Sequence, residues 1–162
     1  MQNSPISTVT SKVGKKNNQI KVPIKVKDFE GICAITLRLE YNPEVMTWVR
    51  CEPAKEFATL DTPLFHASPV EPIPPGSKQP EPINSMKLMM AWASITPLTF
   101  TRDDRVLFYA VFKGSKDGGI TSLEFNNTIS GGGMCEYANA QAQALPDTPT
   151  KDFYINGEVE LL

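Results

Sequence analysis

Hydrophobicity in this chain repeats every second residue, and that period restricts it to strands. Ile20, Val22, Ile24 and Val26 alternate with Lys21, Pro23, Lys25 and Lys27, the pattern of a strand with one buried face. Pro23 has no N–H to give to a ladder, which predicts an edge strand. Ile35, Leu37, Leu39 and Tyr41 alternate with Ala34, Thr36, Arg38 and Glu40 up to Asn42-Pro43. There Pro presets a turn dihedral, and the Asn side chain can bond its own backbone. Val45–Cys51, Met86–Ser94, Val106–Lys113, Ile120–Phe125 and the closing Phe153–Leu161 also read as strands, with others expected near Ile6–Val13 and Ala140–Leu145. No stretch carries the period of a long amphipathic helix. Many short strands without long helices require two sheets packed face to face, a sandwich or jelly roll.

The 162 residues suit a single domain, 1–162, large enough to bury a core without metals or staples. One region breaks the alternation. More than half of the 14 prolines fall between Pro53 and Pro82, so the segment from about 53 to 85 reads as a long insertion, with a short helix expected from Pro53 towards Leu60. The net charge of -2 offers nothing to a nucleic acid or an anionic membrane, and the Lys15–Lys16 and Lys25/Lys27 clusters are expected to be solvated strand faces. No apolar run approaches the ~18 residues of a spanning helix. Met1 is followed by Gln-Asn-Ser rather than by a basic and then an apolar segment, as expected for a domain of a longer protein.

Candidate chemistry is sparse. His66 is the only histidine, so any Ser-His-Asp or Cys-His site would have to use it, and it lies in the proline-rich insertion. Glu40, Glu44, Glu56 and Asp61 are scattered over turns and strand rims, with no motif proposing the paired carboxylates of a glycosidase. Phosphate loops, dinucleotide fingerprints and EF-hand loops are missing. Cys33, Cys51 and Cys135 lack metal-site spacing and are expected to be buried free thiols. Trp92 shares parity with Leu88 and Met90 and is expected in the core, whereas Trp48 is ambiguous between core and surface.

The unusual feature is a second apolar face on two strands. Met86–Ser94 sets Leu88, Met90 and Trp92 on one side and Met89, Ala91 and Ala93 on the other. Val106–Lys113 sets Val106, Phe108, Ala110 and Phe112 against Leu107, Tyr109 and Val111. Antiparallel sandwiches normally show a polar face to water. If these strands are neighbours they expose an apolar patch of the kind that receives a partner. The other reading is that the proline-rich insertion covers it.

Three stretches then carry a resemblance: Val22-Pro23-Ile24-Lys25-Val26, the run from Gly31 through Tyr41-Asn42-Pro43 to Met46, and Phe153-Tyr154-Ile155-Asn156-Gly157-Glu158-Val159. In this order they resemble the cohesin domains of cellulosomal scaffoldins, with the insertion suggesting a divergent, ruminal-type class. The resemblance implies a nine-stranded flattened jelly roll whose sheet of strands eight, three, six and five binds a dockerin. It places Ala34, Thr36 and Arg38 on the third strand of that face, Met89, Ala91 and Ala93 on the fifth, and Leu107, Tyr109 and Val111 on the sixth. Ala34 and Thr36 stand where well-known members often carry hydrogen-bonding side chains.

The function implied is that of a non-catalytic module, monomeric when free, which attaches enzymes or another scaffoldin to an extracellular polysaccharide-degrading assembly. No cofactor or metal is expected in this chain; calcium is expected in the dockerin. The rival reading is a carbohydrate-binding module on a jelly roll, which would need exposed coplanar aromatic rings.

Overall fold

The computed structural model describes residues 2–58, 66–70, 86–126 and 135–162. In chain order these form β1 (Ile6–Val9), β2 (Lys12–Gly14), β3 (Gln19–Lys27), β4 (Ile32–Tyr41), β5 (Met46–Pro53), the one-turn helix α1 (Lys55–Ala58), β6 (His66–Val70), β7 (Met86–Leu98), β8 (Arg105–Gly114), β9 (Gly119–Phe125), β10 (Glu136–Asn139), β11 (Tyr154–Ile155) and β12 (Gly157–Leu161). The first sheet runs β11-β1-β3-β8-β5 and the second β2-β12-β9-β4-β7-β6, with β10 also paired to β4. The all-β sandwich expected from the alternation is therefore present. Among the described residues it has twelve strands rather than nine, because several are only two to four residues long.

The alternation decides what lies between the sheets. Ile20, Val22, Ile24 and Val26 from β3 and Phe108, Ala110 and Phe112 from β8 meet Ile35, Leu37 and Leu39 from β4 and Leu88, Met90 and Trp92 from β7. Aromatic rings fill one end. Phe57 of α1 packs edge-on to Trp92 with centroids 5.1 Å apart, and Phe29 stacks on Phe100 at 4.6 Å. Helix α1 thus inserts a ring beneath β7. At the other end Phe112 receives the edges of Tyr41 and Trp48.

Local chemistry sets the strand ends. Gly31 opens β4 with φ +63, a left-handed conformation that costs a glycine little, and its N–H donates to Thr99 Oγ1. The other end closes as expected at Asn42-Pro43, where Asn42 Oδ1 accepts the Glu44 N–H at 2.9 Å.

Two expectations change. Strand β3 is not an edge, since it pairs with both β1 and β8. Pro23 is accommodated because its carbonyl, and hence its missing N–H, faces β1 just past the last rung, Val9–Ile24. The strand expected at Ala140–Leu145 lies earlier, at Glu136–Asn139, and residue 144 keeps only an isolated bridge to Ala138. Within the 53–85 insertion, α1 and β6 are described, while residues 59–65 and 71–85 lie outside the described residues. Strand β6 ends the second sheet, an edge position that tolerates Pro69.

One hydrogen bond ties the two sheets through the core. The fully buried Tyr137 hydroxyl, on β10, lies 2.6 Å from Ser7 Oγ, on β1, and burial raises the phenol's pKa. Tyr137→Phe removes one partner and leaves the Ser7 hydroxyl in an apolar setting, a loss of about 1–2 kcal/mol. Urea denaturation measures it; an unchanged midpoint would mean that the contact contributes nothing.

Candidate functional site

Six of the residues singled out in the sequence come together on the outer face of the second sheet. Strands β4 and β7 pair so that Ala34 lies opposite Ala93, Thr36 opposite Ala91 and Arg38 opposite Met89. Directly opposite residues share a face, and their in-between neighbours Ile35, Leu37, Leu88, Met90 and Trp92 are buried beneath it. These three rungs span five residues of β4, about 13 Å of strand, or roughly two turns of an α-helix. The side chains are short except at the Arg38–Met89 rung, so the surface is flat at one end and raised at the other.

β10 widens this face. Glu136 lies opposite Thr36, and Ala138 opposite Ala34. Towards the other end of β4, Glu124 of β9 lies opposite Glu40. On the far side of β7, His66 is the register partner of Ala91 and residue 68 that of Met89. The contributions of β10, β9 and β6 were missed in the sequence. β10 is too short for a clear alternation, and the prolines hide β6.

Between β9 and β10 the ladder beside β4 is interrupted at Arg38, and a side chain fills the gap. The Arg38 N–H donates to Cys135 Sγ at 3.4 Å, and the thiol lies 3.6 Å from the carbonyl oxygens of Arg38 and Asn126. The Asn126 N–H donates to the Arg38 carbonyl at 2.8 Å. Cys135 thus replaces part of a missing strand, at the position that sends Arg38 onto the face. Burial pushes its thiol up to about 12, only partly opposed by the Arg38 backbone hydrogen bond. Arg38 Nε is shielded from water with no hydrogen-bond partner among the described residues.

The other three expected site residues are elsewhere. Leu107, Tyr109 and Val111 lie on β8, in the opposite sheet, so the two strands with double apolar faces are not neighbours. Leu107 is fully buried. The register shifts there, from Ile24–Phe108 to Lys25–Val106, and this bulge puts Leu107 into the core and inverts the expected parity. Val111 faces outward but is also fully buried. It is roofed by side chains crossing β8 from β3 to β5: Lys21 meets Glu52 at 2.9 Å, and Arg50 reaches Gln19 at 3.3 Å. Tyr109 is half-buried, with the Lys21 ammonium 5.7 Å from its ring centre. On the first sheet these side chains cover Val111, whereas on the second Ala93 is exposed among the described residues.

Both tryptophans pack against the core. Trp92 is only 3% exposed, and Trp48 packs edge-on to Phe112 at 5.5 Å. No cluster of three His, Cys, Asp or Glu side chains suited to a metal occurs among the described residues. All three cysteines are free; Cys135 is buried, whereas Cys33 and Cys51 are half-buried.

The Cohesin domain family model matches residues 4–139. Solved structures share the fold along nearly the whole chain. One is in the complex of CaDoc0917 with CaCohA2, the latter from Clostridium acetobutylicum, with a TM-score of 0.70, 15% identity, and coverage of 98% of this chain and 100% of that one. The Coh-OlpA–Doc918 type I cohesin–dockerin complex of Clostridium thermocellum gives 0.64 at 16% identity, covering 99% and 100%. A non-cellulosomal cohesin of the archaeon Archaeoglobus fulgidus gives 0.61 at 16%, covering 98% and 91%. No curated protein sequence matches.

The thiol at the ladder gap gives a direct test. Cys135→Ala removes the acceptor of the Arg38 N–H and is expected to cost about 1–3 kcal/mol in denaturant unfolding. Cys135→Ser, which keeps a small donor and acceptor, is expected to lose less. In the native protein at pH 8, Cys135 should resist iodoacetamide over hours and react once unfolded. Rapid native labelling would place the thiol outside the ladder.

Proposed function

The chain belongs to the cohesin family, and from that premise we propose that it is a non-catalytic module which binds a dockerin on the outer face of β4 and β7. Through that contact it attaches an enzyme or another scaffoldin to an extracellular assembly that degrades plant polysaccharides. The observation that carries this reading is the set of rungs Ala34–Ala93, Thr36–Ala91 and Arg38–Met89, mostly small or apolar side chains with one arginine, on a sheet face with a packed core behind it.

Binding follows from rigidity and shape. The core beneath β4 and β7 fixes the backbone, so little ordering free energy is lost when a partner docks. Ala34, Ala91 and Ala93 let a helix backbone come close, and Met89 adapts to its side chains. Arg38 and Glu136 stand beside the apolar strip and can pair with charges on the partner, which governs encounter rate and partner choice more than affinity. Calcium belongs to the dockerin in this scheme, and the chain itself works without metal or cofactor.

Titration of the isolated domain against a panel of calcium-loaded dockerins tests the proposal. At least one should bind, and chelation should abolish the complex without moving the melting temperature of this chain. Ala91→Arg should leave the melting temperature unchanged and weaken binding about a hundredfold, the effect of on the order of 3 kcal/mol for a charge buried without a partner. Wild-type affinity in that variant would show that the partner sits elsewhere.

A further inference from the structure

β7 does not pair evenly with β4. Ala93 lies opposite Ala34, but the next rung is Leu98–Ile32. Cys33 alone therefore stands against the four residues Ser94 to Pro97, and β7 bulges out at the alanine end of the face. The Thr96 N–H donates to Ser94 Oγ at 3.1 Å and closes this bulge on itself. It carries Ile95, which at 92% is the most exposed large apolar side chain among the described residues. Bulges re-aim side chains, and this one holds an isoleucine in water two residues from Ala93, next to a surface already short of polar groups.

The opposite side of the same face is acidic. Its outward residues on β9 and β12 are Ile120, Ser122 and Glu124, and Glu158 and Glu160, with Glu158 opposite Ser122 and Glu160 opposite Ile120. Glu124 lies opposite Glu40, whose other register neighbour is Lys87. Neither β9 nor β12 sends a lysine or arginine outward, so Glu124, Glu158 and Glu160 form a negative border beyond Arg38.

We infer that this chain selects, among dockerins, one whose contact surface has an apolar hollow for Ile95 and basic side chains facing Glu124, Glu158 and Glu160. The inference rests on the dockerin reading and adds the chemistry of the partner to it. Ile95 is the anchor: a protruding apolar side chain that leaves water on binding slows dissociation. The acidic border acts at a distance and speeds encounter with a basic partner, an effect that salt screens.

The experiment takes the tightest-binding dockerin of a recombinant calcium-loaded panel and follows association and dissociation at 50 and 500 mM salt. It uses wild type, Ile95→Ala, the double variant Glu124→Lys/Glu158→Lys, and Ala91→Arg as a control on the face itself. All the substituted positions are partly or fully exposed, and circular dichroism with melting checks each fold. Ile95→Ala should raise the dissociation rate roughly tenfold or more. The double variant should slow association at low salt, with the difference from wild type shrinking at high salt. Wild-type rates in both sets, with Ala91→Arg failing to bind, would overturn this inference and leave the dockerin face standing. If Ala91→Arg binds normally, or no dockerin in the panel binds the wild type, the dockerin reading falls and this inference with it.

Discussion

The outer face of the second sheet depends on the register in which β4 pairs with β7. Strand side chains alternate, so a slip of one residue would exchange every inward side chain for an outward one. Here the exchange is prevented from within. Ile35, Leu37 and Leu39 on β4 and Leu88, Met90 and Trp92 on β7 are all buried, and turning them outward would expose six large apolar side chains at roughly 1.5–3 kcal/mol each. The core thus fixes which side chains of β4 and β7 face outward, although none of the six lies on that outer face. Phe57, inserted against Trp92 from the short helix, adds support directly behind the strand with the flattest surface.

The two outer faces of the sandwich solve the same problem differently. Both β7 and β8 carry apolar residues on the side away from the core. On the first sheet, the Lys21–Glu52 and Arg50–Gln19 contacts cross β8 and seal Val111 from water. On the second sheet, Ala91 is half-buried and Ala93 stays exposed. Under the proposed function, this contrast is what separates the face of β8 from the face offered to the dockerin.

Period-two alternation made the sandwich, most of its strands and the inward set legible, because burial on one face leaves a direct trace in sequence. The same parity placed Ala34, Thr36, Arg38, Met89, Ala91 and Ala93 on one side of their strands, and pairing brings them together. Alternation carries no record of which strand lies beside which, and the resemblance that implies β8 on the same face as β7 misplaces it, since β8 belongs to the other sheet. Nor does it register bulges. The extra residue at Leu107 inverts parity within β8, and the extra residues at Ser94 to Pro97 lift Ile95 out of β7. Cys135 was read correctly as a buried thiol, but its role as a ladder partner for Arg38 depends on a gap between strands that only the fold creates.

Methyl chemical-shift mapping of the domain with a bound dockerin tests the central claim most directly, because it reads both sheets in one experiment. With the methyl groups of alanine, methionine, leucine, isoleucine and valine labelled, saturation with the partner should move or broaden Ala34, Met89, Ala91 and Ala93. Leu107 and Val111 on the opposite sheet should keep their positions. Perturbations centred on β8, with those of Ala91 and Ala93 unchanged, would contradict the account.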